Sequence, residues 1–328
     1  MRAAIVVTLG LLILPVMALA QPQKPEPAGQ PAANAIARGV GYLTKEVTKW
    51  QPGQPCAVCG DPARALLAAS AKGHDIGPSL DAILQVLKQP SDWDRHLPAG
   101  VDKPLARIQF AAALALAERL GKAASTDLEA AAKLLAADQQ PDGSWPTDQA
   151  HAVGSPATYG PVLATWSARS SLISSGMQPD HFTIVQADRW IRGLTVENVF
   201  DAAATVLALE LSSDVMADNL RRAALGIIRK AQSPTGGWGP DAAAAPQVFD
   251  TALAVLALAS LEVEPRLARS TYRPEELKEA IANGKTYLVS QQRPDGSWPE
   301  TSRLKNQDSR VHGTATTGWA LLALLAGQ

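Results

Sequence analysis

VFDAAATVLALEL at 199–211 and VFDTALAVLALASL at 248–261 are near copies of each other. Both are apolar on every side of a helical wheel, so each reads as a helix buried all round rather than one with a wet face. Four further segments hold the same phase: DPARALLAASAKG at 61–73, RIQFAAALALAERL at 107–120, ATYGPVLATWSA at 157–168 and TATTGWALLALL at 314–325. Between them run amphipathic segments such as 126–138, 218–231 and 275–290, with charges recurring on one helical face. Strand alternation is hard to find, and β-branched residues are sparse beside Ala and Leu. The pattern predicts an all-α chain of six helical hairpins. Six pairs can close a ring, apolar helices inside and polar helices outside, and bury a continuous core that no single pair could bury.

Where an outer helix hands over to an inner one, three junctions repeat: QQPDGSW at 139–145, QSPTGGW at 232–238 and QQRPDGSW at 291–298. Pro and Asp start a turn, Gly supplies backbone angles other residues resist, and the indole can pack on the glutamine amide while its N–H finds an acceptor. Each junction reads as a bracket at a corner. One copy comprises Leu135, Gln139, Gly143 and Trp145, and a second Ile228, Gln232, Gly236 and Trp238. The third comprises Gly284, Tyr287, Gln291, Gly296 and Trp298. Arg38-Gly39 with Tyr42 opens a fourth copy, but Glu46 stands in place of the glutamine and the Gly-x-Trp turn is missing.

These residues have the spacing of the QW repeat of triterpene cyclases, and residues 34–328 resemble the prenyltransferase and squalene-cyclase repeat superfamily, most strongly from 126 onward. The resemblance implies an (α/α)6 toroid and, because one fold hosts many activities, says less about chemistry. Class II cyclases of that superfamily protonate an alkene with an aspartate in a DxDD motif. That motif is absent here, the nearest carboxylate pair being Asp92-Trp93-Asp94, and one toroid stands where those cyclases resemble a two-domain assembly. Only 8 Trp, 4 Tyr and 4 Phe are present, and three of the tryptophans are at corners, which leaves few rings to stabilise a carbocation. The single-toroid relative, the protein prenyltransferase β-subunit, holds zinc with an Asp, a Cys two residues later and a distant His. Asp250 and His312 match two of these, but Ala252 replaces the cysteine, so a divalent metal would lack its third ligand.

Asp250, His312 and Asp201 are therefore the candidate catalytic residues, in a prenyl-transferring or cyclising enzyme or, for the two aspartates, as facing carboxylates of a carbohydrate-active toroid. Against both stands a structural reading in which each aspartate serves a helix N-terminus and one copies the other. Phe110, Tyr159, Trp166, Phe200, Phe249 and Trp319 are candidates to line a central cavity for an isoprenoid or other apolar ligand. Cys56 and Cys59, the two cysteines of the chain, read as a local disulfide in an exported protein. Cys59-Gly60 is followed by Asp61-Pro62, without the glutamine a complement-type thioester needs. A protein-interaction ring of that type, lacking the thioester, stays open as a third reading. His74, His96, His151 and His181 show no metal-ligand spacing.

Residues 1–20 have a basic Arg2, an apolar run broken by Pro15 and the small-residue pattern Ala18-Leu19-Ala20, which reads as a signal peptide; the alternative is an uncleaved anchor. Residues 21–33 read as a Pro/Gln-rich tether, and the toroid domain spans 34–328. Formal charge is −1, with no long run of either sign, which argues against nucleic acid or an anionic membrane as partner. The expectation is an exported toroid without a membrane span after cleavage, binding an apolar small molecule or a protein.

Overall fold

The computed structural model describes residues 30–47, 60–97, 102–145, 147, 156, 158–210, 212–301 and 309–327. Cys56, Cys59, His151, the segment 1–20 and most of 21–33 lie outside the described residues, as do the side chains of His96 and His312.

Among the described residues twelve α-helices alternate between two rings. The outer ring holds α1 (Gln30–Val47), α3 (Ser79–Leu87), α5 (Ser125–Asp138), α7 (Phe182–Arg192), α9 (Val215–Ala231) and α11 (Pro274–Ser290). The inner ring holds α2 (Gly60–Ala71), α4 (Lys103–Arg119), α6 (Gly160–Ser174), α8 (Val199–Ala208), α10 (Val248–Ser260) and α12 (Ser309–Leu325). Each inner helix packs on the next, and α12 returns onto α2, so the ring closes. This is the expected (α/α)6 toroid. The first helix begins at Gln30, inside the segment expected to be tether.

Composition sorts the helices between the rings. All of α10 is buried except Leu256 and Ser260, as an inner helix pressed from several sides requires. In α9 burial falls on Ala217, Arg221, Ala224, Leu225, Ile228 and Ala231, the three-and-four spacing of one stripe. Helix starts are set by side-chain caps: Asp102 accepts from the Leu105 N–H at 2.9 Å, Asn198 from Asp201 at 2.8 Å and Asp214 from Ala217 at 2.9 Å. Small residues let the inner helices close up. A Cβ on Gly60 would come within 2.3 Å of the Gln109 backbone, and one on Gly318 within 3.1 Å of Asp61, so α2 lies tight against both α4 and α12.

The corner turns do more than join an outer helix to its inner partner. Gln139 Nε2 donates to Gly143 O at 3.0 Å and to Thr183 O of α7 at 2.9 Å. Gln232 repeats this on Gly236 O (2.9 Å) and Ala280 O of α11 (3.0 Å). In the third copy the residue in this role is Gln292, not Gln291: Gln292 Nε2 donates to Gly296 O at 3.0 Å and to Ala35 O of α1 at 2.8 Å. The glutamine must lie four residues before the glycine to close the turn, and only Gln292 has that spacing in QQRPDGSW. Each indole N–H bonds its own outer helix, Trp145 to Leu135 O (2.8 Å), Trp238 to Ile228 O (2.8 Å) and Trp298 to Leu288 O (2.6 Å). The tryptophan backbone N–H reaches a threonine hydroxyl on the inner helix, Thr165 at 3.1 Å, Thr251 at 2.9 Å and Thr317 at 3.0 Å.

The glycines divide into two kinds. Gly143, Gly236 and Gly296 have φ of 97°, 90° and 93°, and a Cβ on any of them would meet the backbone carbonyl of Gln186, Asn283 or Arg38 on the next outer helix at 2.3–2.5 Å. Gly284 and Gly39 instead receive a neighbour's ring: a Cβ would lie 2.7 Å from Trp238 and 2.9 Å from Trp298 respectively. The incomplete fourth copy at Arg38-Gly39 is thus the receiving half of the third bracket. It joins α11 to α1 across the closure of the ring.

Candidate functional site

The inner helices run parallel, so their N-terminal ends gather at one end of the ring and their C-terminal ends at the other. At the first end, among the described residues, four aromatic rings pack together into a plug. Phe200 and Phe249 have ring centroids 5.7 Å apart, Phe249 meets Trp319 edge-on at 5.2 Å, and Tyr159 meets Trp319 edge-on at 5.7 Å. All four are essentially without solvent exposure.

Within the plug lies Asp61, fully buried, in the first turn of α2. Its Oδ1 accepts from the Tyr159 hydroxyl, and its Oδ2 from Trp319 Nε1 at 2.8 Å and Gln109 Nε2 at 3.3 Å. One carboxyl therefore ties α2 to α4, α6 and α12. Burial pushes its pKa from 3.8 up to about 6, against the opposing pull of the Arg64 charge and the bonds from Tyr159 and Trp319. Burial and the neighbouring carboxyl raise the Tyr159 hydroxyl well above its ordinary value, so it donates. Tyr159 is also the only non-glycine residue with positive φ among the described residues, at 56°. Strain of this kind costs on the order of 1–3 kcal/mol and persists only where neighbours impose it.

The opposite end of the ring is hollow. A cavity of about 420 Å³ opens between Arg64 of α2 and the later parts of α4, α6, α8 and α12. Ala112, Ala115, Leu116, Ile173, Leu207 and Leu322 supply its apolar wall. The polar wall comes from Arg64, Arg119, Arg169, Trp166, Glu210 and a run of serines on α6. Arg64 joins the two ends, its guanidinium 4.5 Å over the Trp319 ring. Glu210 is raised above its ordinary value by burial, an effect the Arg169 and Arg119 charges oppose.

Of the six residues expected to line a cavity, Trp166 does so. Tyr159, Phe200, Phe249 and Trp319 pack on one another instead. Phe110 points outward and packs on Trp93 of the 3₁₀ turn Pro90–His96, with centroids 5.3 Å apart. Asp94 beside it is held below its ordinary pKa by Arg107, whose guanidinium also binds Asp138 at 2.7 Å; this carboxylate is a packing element.

Asp201 and Asp250 occupy the third position of α8 and α10, adjacent inner helices. Asp250 is 1 % exposed, and Asn198 Nδ2 donates to Asp201 at 2.7 Å, with burial raising the Asp201 pKa. His312 belongs to α12, and His181 caps α7 through Nδ1. Among the described residues no three His, Cys, Asp or Glu side chains gather as metal ligands. The sequence reading passed over Asp61 as the residue after a CxxCG, and its one available signal was a lone carboxylate opening an apolar helix. It also passed over the arginines, which on a helical wheel look like ordinary solvated charge.

Neither a family model nor a curated protein sequence matches the chain. Solved structures do. The type II terpene cyclase MstE from Scytonema is 17 % identical with a TM-score of 0.58, covering 90 % of this chain and 98 % of that one. A protein from Actinoplanes is 18 % identical with a TM-score of 0.61, covering 90 % and 100 %. A possible member of the GH105 family from Klebsiella pneumoniae is 11 % identical with a TM-score of 0.56, covering 97 % and 98 %. The fold is a terpenoid-cyclase-like α/α toroid, and these identities carry no more than the fold.

Proposed function

We propose that this toroid binds an isoprenoid or other apolar chain in the cavity at the C-terminal end of its inner ring. One observation carries the reading: a cavity of about 420 Å³ opens between the inner helices, a volume typical of small-molecule sites. The terpene cyclase MstE has been solved with geranylgeranyl dihydroxybenzoate as substrate, which supports an isoprenoid as the kind of molecule such a ring can take. Catalysis by Asp250 and His312 has less support, because the Asp250 carboxyl is buried away from the cavity wall.

Export belongs to the same proposal. Residues 1–20 would be removed and Gln21 would open the mature chain, which N-terminal sequencing of the secreted or periplasmic protein would establish. Lipids extracted from natively purified protein and identified by mass spectrometry test the binding. A stoichiometric isoprenoid or long-chain lipid, lost when Ala115→Trp fills the cavity, is the expected result. An empty extract together with no saturable binding of added farnesol would end the reading and favour the interaction ring.

A further inference from the structure

Charge around the cavity is balanced. Arg64, Arg119 and Arg169 reach it from α2, α4 and α6, and Glu210 reaches it from just after α8. Two more carboxylates stand behind this wall. Asp61, one helical turn before Arg64, feels the Arg64 charge, and Asp188 binds Arg169 at 2.5 Å. Three guanidinium groups thus meet three carboxylates, so an ionic ligand head would shed its water for walls that offer no net opposite charge. Two of the wall groups are nonetheless free to bond. Among the described residues neither Glu210 nor Arg119 makes a hydrogen bond or an ion pair, although Glu210 feels the charges of Arg169 and Arg119. Attraction without contact leaves a carboxylate that only accepts and a guanidinium that only donates, each lacking a partner. A hydroxyl satisfies both at once, because it donates to the first and accepts from the second.

We infer that the ligand of the cavity is an uncharged amphiphile with a hydroxyl head, a long-chain alcohol of the prenol type. The hydroxyl donates to Glu210 and accepts from Arg119, and the tail lies along Leu116, Leu207 and Leu322. Hydrogen bonds to ionised partners are the stronger kind, and here the head has one on each side. A site arranged around a hydroxyl penalises an analogue without its proton, since the acceptor then loses its partner. The inference rests on the proposed cavity function and names the head group of its ligand.

Isothermal titration at about pH 8, where Asp61 is ionised and an amine still carries its charge, compares four molecules with one tail: farnesol, farnesyl methyl ether, farnesoic acid and farnesylamine. Farnesol is expected to bind about tenfold more tightly than each of the others. Two substitutions then shift the order in opposite directions. Glu210→Gln keeps an acceptor but leaves a positive charge in excess, and raises affinity for the acid about fivefold. Arg119→Gln, at an exposed position, leaves a negative charge in excess and raises affinity for the amine by a similar factor. An ether, acid or amine that matches farnesol on the wild type overturns the hydroxyl assignment while leaving the cavity reading intact. Acid and amine affinities that neither substitution moves do the same. Failure of all four molecules to bind sinks the two together.

Discussion

The two ends of the inner ring are built from the same six helices and could hardly differ more. At the N-terminal end, among the described residues, the larger side chains, Tyr159, Phe200, Phe249 and Trp319, meet around one buried carboxyl. At the C-terminal end the same helices present Ala112, Ala115 and Ala208 along with leucines and arginines, and the axis stays open.

Substitutions should respect that division, with the largest effects at the plug. Asp61→Ala leaves the Tyr159, Trp319 and Gln109 donors without an acceptor and is expected to cost on the order of 3–5 kcal/mol, read from denaturant unfolding. Undiminished stability would mean that the plug does not hold the ring.

Next in size is a pH effect. Asp61 titrates near 3.8 when unfolded and at about 6 when folded, so between these values the native state keeps a proton that the unfolded state has released. Its contribution is complete below pH 4, declines as pH rises and is gone above about 6, a total on the order of 3 kcal/mol. Unfolding measured across pH 4–7 should show this slope in the wild type, and Asp61→Asn should flatten it. A slope unchanged in Asp61→Asn would assign it to other groups.

Trp319→Phe keeps most of the packing but loses the N–H bond to Asp61 and part of the face beneath Arg64, for an expected cost of about 1–2 kcal/mol. At the hollow end, Arg119→Gln should change stability by no more than about 0.5 kcal/mol, the usual range for an exposed position. A large loss there would make the cavity wall structural and dissolve the contrast between the ends.

The ring itself was legible because its signals are local and repeated. Buried-all-round helices at 199–211 and 248–261 announce their kind within a dozen residues, and Gln, Gly and Trp at fixed spacing announce the corners. Where the reading slipped, the missing information was relational. Gln291 and Gln292 are chemically identical neighbours, and only the carbonyls of Gly296 and Ala35 decide between them. Gly39 looked like a defective repeat because the ring it accommodates, Trp298, comes from the far end of the chain. The candidate site was hardly legible: of the aromatics expected around a void, Trp166 reaches it.

The sequence by itself determined an all-helical double ring with bracketed corners, since helical periodicity and turn chemistry act over a few residues and leave their mark in composition. Where the large rings meet, where a cavity opens and what lines it were decided by the tertiary structure. Asp61 meets partners 48, 98 and 258 positions away, and the arginines of the cavity arrive on three separate helices. Packing between distant segments chooses whether a large side chain fills an axis or leaves it open, and no pattern along the chain records that choice.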